Sequence, residues 1–493
     1  MTVVMGPVWA EPGQTGLSVL YPLRVENAMF NLVDRFLPGV ISTTPHARYL
    51  GLHPLVRSEA IARGLDAAEG QDLMRRTEAV LAAISFHHQS QHRVSIPEGH
   101  GQSMVAGFLE PDGGIDVAKV ATKGAYSDAV AGFYGTYRGP ELVLGVIAAG
   151  ADQEPGDRYN DAAIRPGLAG VFELSGRAHL SGAELQTASH LCPCAAEGDE
   201  AAWLRQIVCG TAGGSEYAVA DEARRDTARI VTRIVQNAGT VPLADLQTIL
   251  REAIAFGPPL DSGLLIGIDL AEGWRGAILR NYSIEAWRNT WWWIVRELTE
   301  PQTAAEIGGL FAAALPEDWT VGDLDTHLPA TVDGTNLLPA EADLRKEHPR
   351  PDPLTELLIL AVGARRITEA TGRTRKILDG DTDDDLNPRW VADELSRNAA
   401  RPLRAWATEL VESLLWRSHR VALTKLDLRN PESPRLPAQV IERDGRWSKQ
   451  AAAGNGPVGL RLPSFTSMLA GCGVLASSPQ GWTLTAEGAV FVA

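Results

Sequence analysis

Apolar residues recur at helical spacing along most of this chain, and that periodicity is the strongest constraint on its fold. Met29, Leu32, Val33 and Phe36 fall three or four residues apart in segment 27–36, which stops at Pro38-Gly39. Ser42-Thr43-Thr44-Pro45 then offers capping hydroxyls and a first-turn proline. A helix is expected over 46–62, with Pro54 predicting a kink or break inside it. Further helices are expected over 71–86, 227–235, 243–254 and 389–416, and over 127–147 with a break at Arg138-Gly139-Pro140. Segment 87–104 shows no period and reads as a loop. Five tryptophans (Trp274, Trp287, Trp291, Trp292 and Trp293) lie in 261–300. Trp287, Trp291 and Ile294 share one helical face, which predicts burial.

The expected fold class is therefore mainly α and multidomain. The C-terminus adds a winged helix-turn-helix with a small β-hairpin. A helix over 463–472 carries Phe465, Met468 and Leu469; a turn cluster at 477–480 follows, and Trp482-Thr483-Leu484-Thr485 alternates like a strand. A similar helix–gap–glycine layout suggests a second winged module near 127–175. The expected organisation is an N-terminal helical domain (1–115), a possible winged-helix-like module (116–180), a Trp-rich helical domain (181–345), a helical segment with an acidic linker (346–415), and a basic segment with the winged helix (416–493).

At 493 residues the chain is long enough for several cores. Its formal charge is −16, which argues against a protein that coats nucleic acid along its whole surface. The longest apolar runs are far shorter than the ~20 residues a membrane span needs. The first residues lack a basic stretch and carry Glu11, unlike a secretory signal. A cytoplasmic protein with no membrane association is expected, and four cysteines make no disulfide scaffold.

Against that acidic background one stretch stands out. Residues 416–461 hold nine basic side chains and four acidic ones. With Trp447 interleaved and the winged helix adjoining, this pattern suits contact with a phosphate backbone. The candidate DNA-binding residues are Arg420, Lys425, Arg443, Arg446, Lys449 and Arg461, with Ser464 and Thr466 on the recognition helix. That helix carries few base-reading side chains, so shape or backbone recognition is expected.

Catalytic signals are sparse. There is no GxxxxGK[ST] loop, no strand-associated GxGxxG and no GxSxG. His87, His88, His92 and His100 cluster, but Gln89 stands where a zinc protease needs glutamate. His190, Cys192, Cys194 and Cys209 include donors of zinc-binding type, although Cys-Pro-Cys is tighter than the usual spacing. Asp112, Asp116 and Lys119 sit near the pattern of a metal-dependent nuclease, but Asp116 and Lys119 would point oppositely on a strand. The acidic run 379–385 lacks the glycine and glutamate of a calcium loop. No cofactor or metal is assigned. The ligand candidates, should a metal bind, are His88, His92, Cys192 and Cys194.

Four segments together resemble a family of uncharacterised bacterial proteins found in phage-defence and restriction islands. They are Leu37-Pro38-Gly39 with Ser42 and Ala47-Arg48-Tyr49, the aromatic stretch 282–293, the run from His419 to Leu426, and the closing Leu484-Thr485-Ala486-Glu487-Gly488. The resemblance implies an accessory subunit that engages DNA beside a helicase, nuclease or methyltransferase, and it transfers no catalytic residues. The function expected from the sequence is a non-catalytic DNA-binding or adaptor subunit of an antiviral defence complex. The alternatives are a scaffold for partner subunits and a metal-dependent hydrolase using the His87–His100 cluster with Asp112 or Asp116.

Overall fold

The computed structural model describes residues 20–88, 98–128, 132–150, 154–260, 263–381, 386–426 and 436–492. The described chain is mainly helical, and each of its four sheets has two short antiparallel strands. Among these residues no helix is long and apolar enough to cross a membrane. The chain forms two compact units, each assembled from separated stretches. One comprises Met1–Leu32, Arg251–Gly263 and Ala271–Val458; the other comprises Val33–Leu250, Leu264–Leu270 and Gly459–Ala493.

In the first unit the helix Ala304–Ala313 packs along Leu403–Leu423, and Pro353–Glu369 packs against Pro388–Asn398. Gly308 permits the first contact: a β-carbon there would stand 2.7 Å from Cγ2 of Thr408. The helix Leu270–Glu297 buries Trp274, Trp287, Trp291 and Ile294. Two of the indoles also find acceptors, Trp287 on the Leu386 carbonyl at 2.8 Å and Trp291 on Gln439 Oε1 at 2.7 Å. The strands Val440–Arg443 and Arg446–Lys449 form a hairpin turning at Asp444-Gly445. Both turn residues have positive φ, 52° and 79°, as a two-residue hairpin of this hand requires.

In the second unit the helix Tyr49–Ala62 runs through Pro54, and Ala67–His88 packs against it. The latter carries His87 and His88, which the sequence reading had placed in a loop. The helix Tyr134–Leu144 likewise continues through Pro140, where a break is expected. Burial of Tyr137, Glu141 and Leu144 holds that turn despite the missing N–H. Across 116–180 the described elements are helices, and the two-residue strands at its borders pair with each other, Ile115 with Leu180 and Asp116 with His179. After the helix Tyr134–Leu144 the chain folds back in a short antiparallel ladder, with Ile147 bridging Pro155 and backbone bonds from the Ala148 amide to the Glu154 carbonyl and from the Gly156 amide to the Val146 carbonyl. At the C-terminus the helix Leu462–Gly471 precedes the paired strands Leu475–Ser478 and Gly481–Leu484. Trp482 also bridges to Val241.

Candidate functional site

The second unit has an ionic interior. His53 lies fully buried between two carboxylates, with Nδ1 2.6 Å from Glu141 Oε1 and Nε2 3.1 Å from Glu78 Oε1. Glu78 also accepts from Tyr126 Oη at 2.9 Å and from the backbone N–H groups of Phe133 and Tyr134, both at 2.8 Å. Those two amides open the helix Tyr134–Leu144, where a carboxylate is favoured by the unpaired N–H groups and the helix dipole. Gly132 makes room: at φ 60°, a β-carbon there would lie 2.0 Å from Glu78 Oε2. Burial pulls the His53 pKa down, but the charge and hydrogen bond of Glu141, joined by Glu78, outweigh it and raise it to about 9. The two carboxylates thus favour the protonated imidazole, while burial raises the pKa of Glu141 as well, against the lowering effect of His53. Nearby His100 is lowered to about 4 by burial and by His53, and stacks on Phe133 with ring centroids 4.6 Å apart.

A second network begins at Arg48, within the Ala47-Arg48-Tyr49 motif. Its guanidinium binds Glu200 through two bonds, 2.7 and 2.8 Å, and donates to the carbonyls of His190 and Cys192, both at 2.7 Å, and of Gly167 at 3.0 Å. Only 3% of the Arg48 side chain is exposed. The arginine therefore fastens the Cys-Pro-Cys loop. Within that loop Cys194 Sγ lies 3.5 Å from Cys192 Sγ and 3.5 Å from His88 Nδ1, at the end of the helix Ala67–His88. The three donor atoms all lie within 4.8 Å of one another. Hydrogen bonding to Cys194, together with burial, pushes the Cys192 thiol up. The zinc tetrad considered from sequence is not assembled as a set: Cys209 neighbours Cys472 instead. His92 lies outside the described residues.

The remaining candidate ligands are engaged locally. His87 Nε2 contacts the Gly113 carbonyl at 2.7 Å. Asp112 accepts from the Gly114 amide, and Asp116 caps the helix Val117–Val120 by accepting from the Lys119 amide, each at 2.9 Å. Asp116 and Lys119 thus meet through a helix cap, not along a strand. Glu110, Asp112 and His179 form an exposed group, with His179 paired to Glu110 at 2.8 Å.

The C-terminal candidates divide sharply. In the helix Leu462–Gly471 every residue but Pro463 is buried. Ser464 donates to the Ser42 carbonyl at 3.0 Å; Thr466 donates to the Pro463 carbonyl and accepts from Gln247 Nε2 at 3.2 Å. Neither hydroxyl is presented to a DNA groove, because both face the core of their own unit. Arg461 pairs with Asp34 and donates to the Val40 carbonyl at 2.9 Å. Lys425 donates to the Leu20 and Tyr21 carbonyls, and its pKa is lowered by burial and by Arg24. Arg420, Arg443, Arg446 and Lys449 are exposed. Arg443 and Arg446 stand directly opposite each other across the hairpin. Arg446 also donates to the Pro301 carbonyl at 2.9 Å and approaches Glu306 at 3.9 Å. Trp416, 40% exposed, meets buried Trp447 edge-on with centroids 5.2 Å apart.

The chain matches no protein-family model, no curated protein and no solved structure. The sequence reading missed His53, Glu78 and Glu141, which lie on three separate helices with no shared motif. It also missed the hairpin at 440–449, whose signal was present: Asp-Gly flanked by strand-like residues.

Proposed function

We propose that this protein is an adaptor subunit that holds DNA by its phosphates through the exposed hairpin at 440–449. The observation that carries the reading is the pairing of Arg443 with Arg446 across the strands. Like charges directly opposite each other destabilise a hairpin, and a phosphate seated between them would relieve that repulsion. Lys449 and Arg420 extend the positive surface, and the exposed ring of Trp416 offers a stacking face for an unpaired base. Base reading by the helix Leu462–Gly471 is not part of the proposal, since its polar side chains are spent inside the protein.

A winged helix at the C-terminus is supported by element order. The helix Ala218–Ala238, the Val241 bridge, the helix starting at Leu246, the helix Leu462–Gly471 and the closing hairpin follow the sequence of such a module. Its second and third helices would then be separated in the chain by residues 256–461. In this reading the module packs; it does not read bases. The resemblance to phage-defence proteins would put the DNA contact in a complex with a helicase, nuclease or methyltransferase subunit.

The test is fluorescence anisotropy of single- and double-stranded DNA probes over a salt series. Wild-type binding should weaken linearly in log salt, and Arg443→Ala with Arg446→Ala should reduce that slope by about 2. Identical slopes and affinities would sink the proposal. Burial of the C-terminal helix favours a second reading, a scaffold for partner proteins. A stoichiometric co-purifying partner, with no retention on DNA, would select it.

A further inference from the structure

We propose that His88, Cys192 and Cys194 bind a zinc ion. Tetrahedral zinc with Zn–S of about 2.3 Å and Zn–N of about 2.0–2.1 Å places its two sulfurs about 3.8 Å apart, and sulfur and nitrogen about 3.6 Å apart. The observed separations are 3.5 Å for Cys192 Sγ to Cys194 Sγ and 3.5 Å for Cys194 Sγ to His88 Nδ1. Two of the three donor separations are thus within about 0.3 Å of those of a zinc-bound set, and the third lies within 4.8 Å. A disulfide would bring the sulfurs to about 2.05 Å. Two sulfurs and an imidazole are three of the four donors that borderline-soft tetrahedral zinc takes, with water for the fourth, whereas calcium and magnesium demand oxygen.

The surroundings are built to hold these donors still. Pro193 fixes the backbone between the cysteines. Arg48 clamps the carbonyls of His190 and Cys192 and is itself held by Glu200. Ser85, one turn before His88, lies 3.8 Å from Cys192 Sγ and is fixed in turn by Gln102 Oε1 at 2.9 Å. Supporting contacts of this kind orient the ligands of metal sites. The ion would replace the two thiol protons, which leave to solvent, and would join the end of the helix Ala67–His88 to the Cys-Pro-Cys loop. Tight Cys-x-Cys spacing alone would not suggest the site. Helix and loop bring together donors more than a hundred residues apart in the chain.

The experiment uses the full-length protein, stripped with a chelator under reducing conditions. It is titrated with zinc against a chromophoric chelator, and separately with cobalt(II). One zinc should bind per chain, and cobalt should show the sulfur-to-cobalt charge-transfer absorption of two thiolates with the visible bands of tetrahedral geometry. Cys194→Ser and His88→Ala should each weaken zinc binding by more than about 100-fold, beyond the loss seen for outer contacts. Cys472→Ser, at a cysteine that neighbours Cys209, should leave it unchanged. If either ligand variant fails to fold, the wild-type cobalt spectrum decides. No zinc uptake, a cobalt spectrum without sulfur charge transfer, or full affinity in Cys194→Ser would overturn the proposal.

Discussion

The interior of the second unit and the hairpin of the first treat charge in opposite ways. Around His53 and Arg48 the charged groups are buried and paired, one imidazole between two carboxylates and one guanidinium across a carboxylate and three carbonyls, with Glu141 Oε2 alone left without a hydrogen-bond partner among the described residues. On the hairpin Arg443 faces Arg446, and both meet solvent. Buried charge that is paired specifies a packing arrangement and is expensive to disturb. Exposed charge set against like charge adds little to the fold, here one hydrogen bond and one long ion pair from Arg446, so most of its value must lie in what it meets outside. The comparison therefore makes opposite predictions for stability and binding in the two regions.

The largest effect is expected at His53. His53→Ala leaves Glu78 and Glu141 buried without their shared cation, and should cost about 3–5 kcal/mol of unfolding free energy. Urea unfolding followed by tryptophan fluorescence measures it. A loss below about 1 kcal/mol would mean that the two acids are neutral or hydrated, and the contrast with the hairpin would collapse.

The same cluster predicts a pH dependence. The folded pKa of His53, about 9, lies above its ordinary value of 6.5. A raised folded pKa stabilises fully below the unfolded value and is lost as pH rises through the folded one. Stability should therefore decline between about pH 6.5 and 9, by on the order of 2–3 kcal/mol from this group. His53→Asn, which does not titrate there, should lack that decline. Parallel pH profiles in the two proteins would remove His53 from the account.

Next in size is Arg48→Lys. Lysine keeps the charge but loses the planar fork that bridges Glu200 and the loop carbonyls. A loss of about 1–3 kcal/mol is expected, with the Cys-Pro-Cys loop loosened. Hydrogen exchange localised to residues 190–195 would check it, and an unaltered loop would reduce Arg48 to a replaceable surface-type cation.

These residues also show what the sequence could disclose. Helical periodicity announced the mainly α fold, and the shared face of Trp287, Trp291 and Ile294 announced their burial, because both depend on local spacing. The C-terminal helix and hairpin were legible for the same reason. The composition of each unit was not: Val33–Leu250 joins Gly459–Ala493 across the intervening chain, and no local pattern encodes that. Nor could spacing show that Ser464 and Thr466 turn inward while Arg443 turns out, since the basic stretch looks uniform along the chain. His88 meets Cys194 only through tertiary packing, and so the metal candidates could be named but not grouped.

The smallest stability effect is expected at the hairpin, and it sharpens the comparison most. Arg443→Ala with Arg446→Ala removes a repulsive cross-strand pair on one side and, on the other, the contacts of Arg446 with the Pro301 carbonyl and with Glu306. The two terms oppose each other at a few tenths of a kcal/mol each, the usual scale of an exposed cross-strand contact. Unfolding should therefore stay within about 0.5 kcal/mol of wild type, the range of ordinary surface substitutions. A marked loss of stability would instead assign the arginines to holding the 300–306 segment, and their pairing would be structural after all. Unchanged stability joined to a shallower salt dependence of DNA binding separates the two regions as the geometry does, one whose charges build the fold and one whose charges face a ligand.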